Sequence, residues 1–234
     1  MIVVDVEANV PYGAAASGSG QELLCDVYHP PVDAPPFPAL PDGLRVGVLV
    51  IHGGAWMMGE KEQLVMWARG LAKKGYVCVL NGYRLASSPK QRAQIAAAVE
   101  IGDAGAVGNE AWAAEEGKWP SMIHDCKACV RWMRANCSEL GISPDHIAVT
   151  GNSAGGHLSL LVAGVDGELY PELEGESGTP GVSSAVQACG AVYPPTTTRA
   201  PPFTWAPGAN EREQRSFTPF QYASEHFPPV RGLY

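Results

Sequence analysis

Two short stretches carry residue types suited to nucleophilic chemistry. Gly151-Asn152-Ser153-Ala154-Gly155-Gly156 sets a serine with glycines two positions before it and two after. An apolar strand-like run, residues 147–150, leads in, and an apolar helical run, residues 155–164, leads out. A strand that turns sharply into a helix holds the serine on a strained turn with its hydroxyl lifted clear of the sheet. The flanking glycines remove side chains that would collide there. The helix start adds positive dipole and N–H groups without intrahelical acceptors. The second stretch is His52-Gly53-Gly54-Ala55-Trp56, directly after the apolar run 45–51. Such a loop brings its backbone close to a ligand and points N–H groups at it. Acyl transfer needs that arrangement, because negative charge builds on the carbonyl oxygen and paired backbone donors stabilise it. The expected donors lie in Gly53, Gly54 and Ala55, joined by the N–H of Ala154; His52 is expected to be structural.

Serine is a weak nucleophile and needs a general base, usually His held by a carboxylate. Only His157 and His226 follow Ser153. His157 is four positions on, in the same helix, and reads as packing. His226 stands beside Glu225 in an irregular tail and is the remaining candidate base. Asp166 and Glu168 fall past the far end of the helix, and Asp125 reads as a helix-surface or capping acid. No complete triad is assigned.

The elements that must position these groups alternate. Residues 3–12 and 21–29 read as an antiparallel hairpin, 45–52 and 76–83 as buried strands, and 186–193 as the last clear strand. Helical spacing marks 63–74, 91–101, a long amphipathic stretch over 120–140, and 155–164. Residues 102–119 form an insertion whose Trp112 and Trp119 pack on the surface or cap a pocket. Residues 168–184 form an acidic loop, and 194–234 an irregular tail. The expected architecture is a single domain over 1–234, built on a mostly parallel sheet with helices on both faces.

Composition narrows the function classes. The 234 residues carry 16 basic and 24 acidic side chains, a net charge of −8. With a pI near 5.2 the surface should repel phosphate backbones, so no nucleic-acid partner is expected. The longest apolar runs fall far short of the ~18 residues that span a bilayer, so no membrane partner is expected. Residues 1–10 show no basic stretch leading into an apolar one, so the expected location is cytoplasmic, with reduced thiols. Of the 6 cysteines, Cys126 and Cys129 form a C-x-x-C. With Val130, Met133 and Cys137 they recur at helical spacing, which reads as one apolar helix face. No metal and no cofactor is expected.

Ser153 and Gly54 lie 99 residues apart, with one βα unit and one long helix between them. That order resembles the α/β-hydrolase superfamily. The resemblance is closest to the carboxylesterase and hormone-sensitive-lipase-like branch, including acetyl- and feruloyl-esterase-like proteins of the BD-FAE type. It rests on L-L-C-D-V-Y-H-P, V-L-V-I-H-G-G-A-W, N-G-Y-R-L-A, G-I-S-P-D-H-I-A-V-T-G-N-S-A-G-G-H-L and V-Q-A-C-G-A-V-Y-P-P-T, and runs from about residue 3 to about residue 229. H-G-G-A-W is also similar to a loop of kynurenine formamidases.

The resemblance implies Ser153 as nucleophile, the 53–55 loop as oxyanion hole, and a small-molecule ester of a short acyl group as substrate. It also implies the chain order Ser, acid, His. The acid should follow the strand after 186–193, just past a Pro-Pro like Pro228-Pro229. The expectation is therefore a chain lacking the last strands and stopping before its acid and base. It would be a serine ester hydrolase of doubtful activity, a ligand-binding protein on the same fold, or a fragment of a full-length esterase or formamidase-like amidase. Strand 186–193 would then be an open apolar edge, covered by the tail or by a second copy of the chain.

Overall fold

The computed structural model describes residues 3–14, 21–35, 37–87, 89–100, 119–196, 215–223 and 227–233. Strands β1 (Asp5–Ala14) and β2 (Glu22–His29) pair antiparallel, as the two alternating segments at the start of the chain predict. β3 (Arg45–Ile51) is followed by α1 (Val65–Ala72), β4 (Val77–Asn81) and α2 (Pro89–Glu100). After residue 118 come α3 (Ser121–Ala135), α4 (Cys137–Leu140), β5 (Ile142–Asn152), α5 (Ala154–Gly164) and α6 (Pro171–Glu174). β6 (Ala188–Val192) and β7 (Val230–Leu233) complete the described elements.

The seven strands form one sheet in the order β1-β2-β4-β3-β5-β6-β7. β2 meets β4 antiparallel; the β3–β4, β3–β5, β5–β6 and β6–β7 pairs are parallel. Alternation divides the core. Leu49 and Ile51 of β3 and Val77 and Val79 of β4 face one side, packed with Met122, Cys126, Cys129 and Met133 of α3 and Leu158 and Leu161 of α5. Val48, Val50, Cys78 and Leu80 face the other, against Leu64, Ala68 and Ala72 at α1. Helices therefore cover both faces, and residues 46–51 of β3 and 77–80 of β4 are apolar because neither face meets water.

Four expectations are corrected. First, the tail expected to be irregular contributes a strand, and it covers β6 as one of the two expected coverings has it. β7 pairs with β6 from Cys189↔Val230 to Val192↔Leu233, so part of the tail supplies a further strand. Among the described residues the outermost strand on that side is therefore β7, four residues carrying Arg231. Second, the long helix breaks at Asn136. Its side-chain Nδ2 and its backbone N–H both donate to the Trp132 carbonyl, at 2.8 and 3.0 Å, and α4 then ends at left-handed Gly141. Cys137 thus lies outside the α3 face that buries Cys126 and Cys129.

Third, Asp125 is buried. The Arg84 side chain donates to its two oxygens at 2.7 and 2.9 Å, and the Arg84 backbone N–H donates at 2.9 Å. A fully buried carboxylate demands such a charged partner. Fourth, the acidic loop is pinned. Glu174 ends α6 and pairs with Lys127 of α3 at 2.7 Å and with Arg131 one turn further along. The C-x-x-C thiols are packing groups. Burial pushes Cys126 and Cys129 well above the ordinary thiol range, so both stay protonated.

Candidate active site

The parallel strands all deliver their carboxyl ends to one side of the sheet, where ligands bind in open α/β folds. Ser153 sits there, between the end of β5 and the start of α5, at φ 52 and ψ −120. An L-residue reaches this region only under constraint. Here the constraint is two hydrogen bonds: Ser153 N–H donates to the Val192 carbonyl at 2.9 Å, and the Ser153 carbonyl accepts from His157 N–H at 2.9 Å.

The glycines are spatial requirements. A Cβ on Gly151 would stand 2.5 Å from the Ile51 oxygen and 2.6 Å from Gly155, and one on Gly156 would stand 3.0 Å from the Gly151 oxygen. The serine side chain is half-buried, and among the described residues nothing hydrogen-bonds its hydroxyl.

The 52–59 loop lies alongside. β3 pairs with β5 up to Ile51↔Gly151, and Gly53 N–H then donates to Asn152 Oδ1 at 3.1 Å. Gly54 is at φ +114, where a Cβ would strike the Met58 oxygen at 2.0 Å; Ala55 and Trp56 follow at φ 50 and 61. The turn closes through Met57 and Met58 N–H groups on the Gly54 carbonyl, both at 3.0 Å. Trp56 is buried and anchors the loop. Its ring meets His157 at 5.1 Å and Phe217 at 5.0 Å, both edge-on, and its carbonyl accepts from Ala86 N–H at 2.9 Å.

Of the four residues expected to donate, Gly53 already has its N–H engaged. No acceptor takes the N–H of Gly54 or Ala55 among the described residues. Ala154 opens α5, where the first N–H groups have no intrahelical acceptor.

Each described histidine is held elsewhere. His52 donates from Nδ1 to the Gly53 carbonyl at 2.7 Å and stacks on Tyr83 at 4.3 Å. His157 donates from Nε2 to the Phe217 carbonyl at 2.7 Å, and its buried Nδ1 has no partner among the described residues. Both serve structure, as the sequence predicts. His29 pairs with Glu7, His124 donates to the Glu172 carbonyl, and His146 meets Ser143. His226 and Trp112 lie outside the described residues. Asp166 accepts from the Glu168 and Leu169 N–H groups in the turn after α5, away from the serine. Trp119 is half-buried, packs on Phe217 at 4.8 Å and donates to Ser216 Oγ at 2.8 Å.

Sequence reading missed Phe217 and Tyr193. Phe217 is fully buried and fastens the tail to α5 and the loop. Tyr193, just past β6, accepts from Asn152 Nδ2 at 2.9 Å. Nothing in the local sequence marks either, since both act across long sequence separations.

Burial lowers the pKa of His157 to about 3 and that of His52 to about 4, so both are neutral in the folded protein. An unfolded His titrates near ~6.5. Above that pH neither residue makes stability depend on pH. As pH falls below it, the unfolded chain takes up protons that the folded protein refuses. Each His should then remove about 1.4 kcal/mol of stability per pH unit down to its folded pKa. Urea midpoints measured at pH 7, 6 and 5 should fall progressively, and an unchanged midpoint from pH 7 to 5 contradicts this.

The fold and the strained serine turn beside a glycine loop define an α/β-hydrolase. A family model described as BD-FAE matches residues 109–230. The chain belongs to that family, within the carboxylesterase and hormone-sensitive-lipase-like branch.

Among curated relatives, esterase LipQ of Mycobacterium tuberculosis is 30% identical over 190 residues, covering 80% of this chain and 34% of LipQ. Carboxylesterase NlhH of the same organism is 32% identical over 138 residues, 58% of this chain and 32% of NlhH. The probable carboxylic ester hydrolase LipM, also of that organism, is 37% identical over 114 residues, 48% of this chain and 20% of LipM. The chain thus spans about a third or less of these relatives' lengths. Esterase 2 of Thermogutta terrifontis, solved phosphoramylated by tabun, superposes with a TM-score of 0.66 at 21% identity. That match covers 99% of this chain and 70% of the esterase. Among the described residues no helix is long and apolar enough to cross a membrane.

Proposed function

We propose that Ser153 is the nucleophile of a carboxylic-ester hydrolase acting on short acyl esters of the acetyl or feruloyl type. Its oxyanion hole would be the N–H groups of Gly54, Ala55 and Ala154. The observation that carries this reading is Ser153 at φ 52, on a turn whose glycines admit no Cβ, beside a loop with two N–H groups that no described residue accepts from. Ser153 Oγ attacks the acyl carbon, its proton passes to a base, and the carbonyl oxygen takes up negative charge opposite the loop. Collapse releases the alcohol and leaves an acyl-serine, which water cleaves. Relatives support the acyl size, since the Thermogutta esterase has been solved with propionate and with butyrate bound.

The acid and base of a full triad are not among the described residues. β7 runs parallel to β6 with Leu233 opposite Val192, so the chain leaves β7 on the serine's side of the sheet, two strands from β5. The position after β7 is where the superfamily's acid stands in the order Ser, acid, His. We place the acid there and a His after a following strand, with His226 as the alternative base. Reading the gene past the Tyr234 codon tests this placement, and a continuing frame without that acid and His overturns it.

The second reading is a ligand-binding protein on the same fold that does not turn over. Incubation with a fluorophosphonate probe separates the two. An adduct on Ser153 supports the hydrolase. Saturable binding of a short ester by folded protein, without adduct or hydrolysis, supports the binder.

A further inference from the structure

Asn152 precedes the nucleophile and divides its carboxamide between two partners. Oδ1 accepts from Gly53 N–H at 3.1 Å, and Nδ2 donates to Tyr193 Oη at 2.9 Å. The Gly53 N–H needs an acceptor, which fixes which end of the amide faces the loop. A Cβ on Gly53 would stand 3.0 Å from the Asn152 carbonyl oxygen and 3.2 Å from Nδ2, so glycine permits the approach.

The backbone around this amide is strained on every side. Ala55, Trp56, Ser153 and Tyr193 all have positive φ, between 37 and 61. Such conformations are strained for L-residues and persist only where neighbours over-determine them. Beside the Trp56 ring packed on His157 and Phe217, the loop has three hydrogen bonds to residues 83–87. His52 carbonyl accepts from Tyr83 O–H at 3.1 Å, Trp56 carbonyl from Ala86 N–H at 2.9 Å, and Met57 carbonyl from Ser87 O–H. Those bonds hold the loop to the body of the fold. The bond from Gly53 to Asn152 holds it to the nucleophile's own turn, across 99 residues of sequence.

We infer that Asn152 is a positioning residue that sets the Gly54 and Ala55 N–H groups against Ser153 Oγ, and that Tyr193 orients its amide. The inference rests on Ser153 being the nucleophile. A displaced donor costs rate more than affinity, because the oxyanion forms only on the way to the tetrahedral state.

The test compares Asn152→Ala, Asn152→Asp, Tyr193→Phe and the Asn152→Ala/Tyr193→Phe double variant in the full chain. Two readouts are taken: amide hydrogen exchange over residues 53–58, and fluorophosphonate labelling resolved into maximal rate and half-saturation. Asn152→Ala should speed loop exchange and lower the maximal labelling rate by roughly tenfold or more, with half-saturation within about twofold. Asn152→Asp should keep most of the rate, since a carboxylate accepts from both the Gly53 N–H and the Tyr193 O–H.

Tyr193 is 54% exposed, so Tyr193→Phe should fold. It should slow labelling in the parent and add nothing in the Asn152→Ala background. Unchanged exchange and labelling in Asn152→Ala overturns the inference, and so do additive effects of the two substitutions. If the parent itself is not labelled, the exchange comparison alone decides whether Asn152 holds the loop.

Discussion

Replacing Ser153, the proposed nucleophile, by glycine should abolish fluorophosphonate labelling while making the fold more stable. Loss of a nucleophilic serine costs on the order of a millionfold in rate where it has been measured. The stability gain follows from backbone geometry. Ser153 is held at φ 52, ψ −120, where a Cβ is penalised and glycine is not. Glycine loses more chain entropy on folding, which offsets part of the relief, so a net gain of about 1 kcal/mol is expected. Ser153→Ala keeps the Cβ, so it should lose the chemistry without the gain. Intact-mass detection of the probe adduct and urea unfolding of both variants measure the two effects. A Gly variant less stable than the parent would show that the turn is not strained, and an adduct persisting in it would place the nucleophile elsewhere.

Gly155→Ala should have the largest structural effect, removing more than about 4 kcal/mol or preventing folding altogether. A Cβ there would lie 2.1 Å from the Ile51 oxygen and 2.6 Å from the His52 oxygen. Both obstacles are backbone, so no side chain can move aside. To admit the methyl, the start of α5 must lift from the end of β3. That lift would separate Ser153 from the 52–59 loop and weaken the packing of Leu158 and Leu161. The exposed Gly70 is the control, since a Cβ there meets nothing within 4 Å. Helix propensity should make Gly70→Ala neutral to stabilising. Equal unfolding midpoints for the two alanine variants would contradict the close approach.

Particular residues show where sequence reasoning reached and where it stopped. The serine turn and the glycine loop were legible because their geometry is local: glycines at fixed offsets and an apolar run ending in a turn. The hairpin and the buried strands were legible from their periodicity. β7 was not. Val230–Leu233 spans four residues with a charge and a glycine in the middle, a pattern no strand period distinguishes. It is a strand because β6 offers it an open row of backbone partners.

Asp125 sits among the buried positions of α3, with Met122, Cys126 and Cys129, although its residue type reads as a helix-surface or capping acid. Its partner, Arg84, is 41 residues away, so no local pattern could reveal the pair. The break at Asn136 turned on which carbonyl one amide reached.

The sequence alone determined the local chemistry: a serine whose neighbours admit only a sharp turn, and a loop whose glycines expose N–H groups. Those are properties of φ, ψ and missing Cβ atoms over a few residues. The tertiary structure decided which groups share a site. β3 and β5 became neighbours through parallel pairing, which brought Gly53 to Asn152 across 99 residues. It also withdrew His52 and His157 from catalysis by burying both and giving each a backbone carbonyl. Hydrogen bonds and burial depend on distance in space, and that distance is fixed only when the sheet closes.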